Sequence, residues 1–244
     1  MNPFDDKIDN FDGRMVVVKS LVGSHNYNLN TPSSDRDYKL FVCPTFNDLY
    51  DGTRYVKSEQ SATVDYTVAD IRNLSDLFWK ANVNFIEILF SVDLYYHAGL
   101  SWIFKNAELL ATMNLPVFYK SAIAMHHNKM NDMHKGTSTT ADIVKRYGYD
   151  TKQASHALRL LYTVAHVANG LTMGQALWFH GYEKKILLSV KNHQMTENQF
   201  HKIVTVWHKK NDNRVADWFA GTVANEAPKQ QTDDVIKNFV RMGL

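Results

Sequence analysis

Residues 23–42 read Gly-Ser-His-Asn-Tyr-Asn-Leu-Asn-Thr-Pro-Ser-Ser-Asp-Arg-Asp-Tyr-Lys-Leu-Phe-Val, so a Gly-Ser pair is followed, after ten intervening residues, by Asp35 and Asp37. A strand sends alternate side chains to opposite faces, which puts Asp35 and Asp37 on one face and Arg36 and Tyr38 on the other. Two carboxylates held that close repel, and a divalent cation between them removes the penalty. Mg²⁺ takes one or two carboxylates and completes its shell with phosphate oxygens, so this spacing suits metal-assisted phosphate chemistry. Upstream, residues 15–22 are apolar and β-branched, as a strand is, and deliver the chain to Gly23, where glycine permits a turn and a close approach to ligand. Ser24 can then offer its hydroxyl and amide to a phosphate. Read alone, the stretch also fits a hairpin loop whose polar side chains cap turns, Thr31-Pro32-Ser33-Ser34 above all.

The order strand, Gly-Ser, Asp-x-Asp resembles the signature of the DNA polymerase beta nucleotidyltransferase superfamily. The wording of residues 23–37 is most similar to its branch of nucleotidyltransferases associated with RNA-ligase repair operons and phages, although many superfamily members carry an apolar residue where Arg36 stands. The resemblance implies an α+β fold: a polymerase-beta-like core, made of a short mixed sheet with helices, followed by an all-helical C-terminal domain. It implies that an acceptor hydroxyl attacks the α-phosphate of an NTP and releases pyrophosphate. Mg²⁺ is the implied cofactor, as two ions with Mn²⁺ able to substitute, and RNA, either a tRNA or a broken 3′ end, is the implied acceptor. A protein or small-molecule acceptor is the alternative among enzymes, and a catalytically silent nucleotide- or RNA-binding module is the alternative outside them.

The superfamily uses a further acid on a neighbouring strand. In the alternating run of residues 63–67, Asp65 shares a face with Thr63 and Thr67 while Val64 and Tyr66 turn to the core. Asp65 is therefore the expected third carboxylate and metal ligand, positioned to deprotonate the attacking hydroxyl. Glu59 and Asp70 are its rivals, but Asp70 heads the pattern Ile71, Leu74, Leu77, Phe78 and reads as a helix cap. Residues 82–90 resemble an Asn-rich, Glu-containing stretch of the same family, and Glu87, in an apolar neighbourhood, requires a partner such as Arg or Lys.

A second informative stretch covers residues 147–170. Asp150 or Thr151 is an N-cap and Gly170 a C-cap, bounding a helix of about five turns. At 100° per residue, Lys152, His156, Arg159 and Thr163 form a basic, polar stripe, and Ala157, Leu160, Leu161, Val164 and Ala168 an apolar one. The run Gly-Tyr-Asp-Thr-Lys, followed by a His and an Arg on later turns, also resembles the family. By that resemblance Lys152, His156 and Arg159 join Gly23 and Ser24 in binding the nucleotide. A solvated face or a salt bridge to the acidic half is the alternative.

Composition sets the frame for these motifs. The 244 residues carry a net charge of +2, but residues 1–100 hold 9 Lys+Arg against 14 Asp+Glu and the remainder 18 against 11. An acidic, metal-bearing half facing a basic, phosphate-gripping half would produce that asymmetry. The acidic N-terminus lacks an apolar leader and no run approaches a membrane span, so a soluble, cytoplasmic protein is expected. The single cysteine, Cys43, excludes an internal disulfide and reads as a small strand residue. Sheet-like patterning stops near residues 95–100, which divides the chain into a catalytic core at 1–97 and a helical domain at 98–244, packed closely with the cleft between them. Further expectations are a polar segment at 44–62 with Asp51-Gly52 as a turn, a solvated helix face bearing His126, His127 and His134, and helices at 182–190, 197–209 and 232–242. Trp178, Trp207 and Trp218 are expected in the core or between helices, and Lys184-Lys185 and Lys209-Lys210 on solvated surfaces.

Overall fold

The computed structural model describes residues 10–60, 64–137 and 140–243. The expectations that fell on the acidic residues 1–9 and on Thr63 lie outside these. The sheet consists of β1 (Asn10–Phe11), β2 (Arg14–Val22), β3 (Arg36–Val42), β4 (Val56–Gln60), β5 (Val64–Asp70) and β6 (Leu94–Tyr96), in the order β1-β2-β3-β5-β4 with β6 against β2. Only β3 and β5 run parallel; the other pairs are antiparallel.

The apolar run of β2 cannot be read by simple alternation. Its pairing with β3 shifts register between Val16 and Val18, where two steps on β2 match one on β3. Such a bulge inverts the facing of all that follows. Val16 and Leu21, of opposite parity, thus share one face with Tyr38, Leu40 and Val42, while Val17, Val18 and Phe41 join the main core. Asp37, four residues before Phe41, lies on that same core side, toward the helices.

The helices are α1 (Phe46–Tyr50), α2 (Leu74–Trp79), α3 (Val83–Ile86), α4 (Ser101–Lys105), α5 (Ala107–Thr112), α6 (Leu115–Asp132), α7 (Ala141–Tyr147), α8 (Thr151–Ala168), α9 (Met173–Leu177), α10 (Gly181–Lys191), α11 (Glu197–Ala220) and α12 (Ala227–Met242). The fold is thus mixed α+β, with the long helices in the C-terminal part. One apolar core joins strand residues such as Val17 and Phe41 to Leu158, Phe219 and Phe239. The last helix, α12, returns to α2, where Lys229 bridges Asp76 at 3.1 Å and Asp233 at 3.1 Å.

The helix α8 is central, packed by α6, α9, α10 and α11. Asp150 caps it, accepting from the Lys152 and Gln153 amides at 2.9 and 3.1 Å, and Gly170 follows its end at φ 84°. Its polar stripe is not a solvated face: Lys152 alone is exposed, and Arg159 and Thr163 are buried. Packing by α6, α9, α10 and α11 leaves little of either stripe in contact with solvent, which periodicity on one helix cannot reveal.

Several local expectations are corrected. Residues 44–60, expected to be polar with a turn at Asp51-Gly52, do turn there but also contain α1, opened by a Thr45–Asp48 capping box, and the strand β4. The sheet's last strand, Leu94–Tyr96, ends where the sheet-like patterning stops, but α11 runs to Ala220 and α12 begins at Ala227. His126 is 1% exposed, with Nδ1 2.9 Å from the Ala157 carbonyl of α8, while His127 and His134 are exposed. Trp207 is buried, but Trp178 and Trp218 are exposed. Cys43 is a buried thiol. Among the described residues, no helix is long and apolar enough to cross a membrane.

Candidate functional site

Three strand ends meet at one edge of the sheet. Val22, at the end of β2, is the register partner of Asp37 at the start of β3, and Asp37 is the partner of Asp65 at the start of β5. Register partners in a sheet project to the same face, so the parallel pairing brings Asp37 and Asp65 together although twenty-seven residues separate them. Asp35 lies one residue before β3 and is exposed; Asp37 is half-buried.

Gly23 turns the chain at φ 74° into a 3-10 turn, Gly23–His25. Its amide donates to Glu87 Oε2 at 2.9 Å, and Asn26 Nδ2 donates to the Glu87 carbonyl at 2.8 Å. Glu87 is buried, and its burial pushes the carboxyl up against the opposing influence of Arg159, Lys39 and the Gly23 amide. The partner expected for this acid is thus a backbone amide with two cations nearby. The following loop is tied to the helices: Asn28 Nδ2 donates to the Phe179 carbonyl at 2.9 Å, Lys184 Nζ to Asn28 Oδ1 at 2.7 Å, and Lys191 Nζ to the Leu29 carbonyl at 2.9 Å and Ser34 Oγ at 3.2 Å. These bonds fix the loop that leads into Asp35.

The cleft so formed holds about 480 Å³. Gly23, Ser24, Asp35 and Asp37 border it from one side; Lys152, His156 and Arg159 of α8 and Lys191 at the end of α10 border it from the other. Arg159 is buried with its guanidinium carbon 3.4 Å from the centroid of the Tyr27 ring, a desolvated cation–π contact that fixes its direction. His156 is held neutral, its pKa lowered by burial and by the charges of Arg159 and Lys129, and its Nε2 has no protein partner among the described residues.

Electrostatics joins the two walls. Burial raises the pKa of Asp37, as do the charges of Asp65 and Asp35, while His25 and Lys152 act in the opposite sense. Burial lowers that of Lys191, as do Lys152 and Arg159, against the attraction of Asp35 and Asp37. Every sequence-derived site residue except Asp65 borders this cleft; Asp65 stands beside Asp37 on the neighbouring strand. Its rivals are engaged elsewhere: Glu59 pairs with Lys57 at 2.7 Å, and Asp70 holds Arg72 at 2.6 Å while capping residues 71–73. Arg36 and Tyr38, on the far face, both reach Asp93, the hydroxyl of Tyr38 at 2.7 Å.

Among the described residues no three His, Cys, Asp or Glu side chains are already drawn into a metal-binding group. The donor chemistry nevertheless fits a hard divalent cation: the acids are oxygen donors, the charges of Asp65 and Asp35 add to the cost of ionising Asp37, and Asp35 and Asp37 face a space sized for phosphates. Mg²⁺ uses few protein carboxylates and relies on substrate oxygens for the rest, so a preassembled cage is not required.

Among the bordering residues that the sequence does not announce are Lys191 and His193. Lys191 belongs to no motif and looks like an ordinary cation at a helix end, and His193 lies in the turn beyond it. Only the fold of α10 back onto the 23–35 loop brings them to the cleft.

No curated protein matches the chain. A family model described as the RNA repair pathway DNA polymerase beta family matches residues 6–241, nearly the whole sequence. With both motifs and the cleft they border inside that match, the chain belongs to the RNA repair pathway DNA polymerase beta family.

Proposed function

We propose that this protein is a Mg²⁺-dependent nucleotidyltransferase, built on a polymerase-beta-like core, that moves an NMP from an NTP to a hydroxyl of RNA and releases pyrophosphate. One observation carries the reading: a single cleft has Asp35 and Asp37 on one wall and Lys152, Arg159 and Lys191 on the other. A nucleoside triphosphate needs both, cations along its β- and γ-phosphates and acids for the metal at its α-phosphate.

In this reading the acceptor oxygen attacks the α-phosphorus, the bond between that phosphorus and the bridging oxygen to the β-phosphate breaks, and its electron pair leaves with pyrophosphate. Asp35, Asp37 and Asp65 would hold the metal, as two ions with Mn²⁺ able to substitute. Bound there, the cation supplies charge neutralisation and acidifies the acceptor hydroxyl. Asp65 takes the hydroxyl proton. Lys152, Arg159 and Lys191 bind the triphosphate and neutralise the charge that grows on the leaving pyrophosphate; Ser24 offers its hydroxyl and amide to the phosphate nearest the acids, and Gly23, whose amide is held by Glu87, gives that phosphate room to approach. His156, neutral and bordering the cleft, offers its ring nitrogen to the nucleotide rather than adding charge. The excess of cations beyond residue 100 favours a polyanionic acceptor, and a reaction of NTP with RNA fits a cytoplasmic protein.

Incubation with α-³²P-labelled NTPs, Mg²⁺ and total RNA should move label into RNA. Label in protein or in a small molecule would change the acceptor, and nucleotide binding with no transfer to anything would leave a silent binding module.

A further inference from the structure

The turn after α10 carries an aromatic stack that ends at the cleft. His193 has φ 62°, a left-handed conformation rare outside glycine. Two contacts hold it there. Its imidazole lies parallel to Tyr147, with centroids 4.1 Å apart and planes 8° apart, and its Nδ1 is 2.8 Å from Oγ1 of Thr151, the first residue of α8. The Arg146 guanidinium carbon also lies 5.2 Å from the Tyr147 ring centroid. The stacked Tyr147–His193 pair reaches the cleft through His193, which borders it beside Asn192 and Ile143.

We propose that His193, backed by Tyr147, is the stacking seat for the nucleobase of the incoming nucleotide. The inference rests on the reading above that the cleft takes an NTP. A flat ring, locked by a stack, a hydrogen bond and an unusual backbone conformation, offers a preorganised surface for another flat ring. Its place is right for a base. Lys191 lies two residues before it, and Lys152 directly follows Thr151, to which the ring is bonded; a nucleotide held by those lysines has its base within reach. Burial and the charges of Arg146 and Lys152 keep the imidazole neutral, so it meets the base as a π surface and not as a cation. Stacking accepts any base, Ile143 adds an apolar wall, and Asn192 offers a polar group to the base edge.

The test compares NTP with inorganic tripolyphosphate, which has the phosphates and no base, by calorimetric titration in the absence of acceptor. His193→Asn is the informative variant, because asparagine tolerates the left-handed conformation and can still bond to Thr151 while removing the ring. Loss of a base stack should weaken NTP binding about five- to a hundredfold and leave tripolyphosphate unchanged. Tyr147→Leu, which removes only the backing, should act in the same direction more weakly. Lys152→Ala should weaken both ligands. Unchanged NTP affinity in His193→Asn overturns the proposal, as does an equal loss for both ligands or a loss seen only with an RNA oligonucleotide. A wild-type protein that binds neither NTP nor tripolyphosphate overturns the functional reading itself, and this proposal with it.

Discussion

Gly23 and Asp37 are packed so closely that a Cβ built on Gly23 would lie 2.9 Å from Asp37 Oδ2. The glycine is needed twice, for its φ of 74° and for the room it leaves the carboxylate. Its amide is also spent on Glu87 Oε2, so turn, acid and buried carboxylate form one unit.

Gly23→Ala should therefore destabilise the fold by about 1–3 kcal/mol, the cost of a left-handed non-glycine residue, and should suppress turnover by displacing Asp37. Denaturant midpoints and pyrophosphate release check the two effects separately. Wild-type values for both would show that the turn does not constrain the acid.

Lys152 is exposed, so its removal separates binding from folding. A charge-assisted hydrogen bond is worth about 1.5–3 kcal/mol, so Lys152→Ala should lower kcat/KM for NTP about ten- to a hundredfold with little change in stability. Lys191→Ala should do the same and also loosen the loop before Asp35, because Lys191 bonds to Leu29 and Ser34. Steady-state kinetics at varied NTP resolves whether KM, kcat or both change.

A buried histidine sets a pH dependence away from the cleft. His126 is 1% exposed, and its pKa falls from 6.5 to about 4, through burial first and then through the neighbouring His208 and His127, against the Ala157 carbonyl and Asp212. The unfolded chain protonates this group below its ordinary value and the native state does not until about pH 4. Its contribution to stability is thus complete above pH 6.5 and is lost as the pH falls toward 4, up to about 3 kcal/mol. Urea midpoints measured across this range should show a shallower acid slope for His126→Gln than for wild type. Equal slopes would place the acid sensitivity elsewhere.

The sequence carried the site's local parts because those parts are local. Gly23, the Asp-x-Asp pair and the cap at Asp150 each announce themselves through residue type and spacing. Asp65 could be placed beside Asp37 only on the strength of the family resemblance, since which strand neighbours which is decided by a connection containing α1 and β4. Alternation misreads β2 because a bulge at Val16–Val18 exchanges its faces, and nothing in Met-Val-Val-Val marks where the bulge falls. Lys191, His193 and the burial of His126 depend on how α8, α10 and α6 pack, and helical periodicity gives a face without saying what covers it.

The most direct test of the central claim is pyrophosphate release from NTP in the presence of RNA by wild type and by Asp37→Asn, each with Mg²⁺ and with EDTA. Asparagine keeps the shape of Asp37 and removes the charge that Asp35 and Asp65 oppose, so the variant should fold at least as well as wild type. The account predicts Mg²⁺-dependent release by wild type, abolished by EDTA and reduced in Asp37→Asn by about 10²–10³-fold, the scale of a lost group that stabilises transition-state charge. Release by Asp37→Asn at the wild-type rate, or release that persists in EDTA, would contradict it.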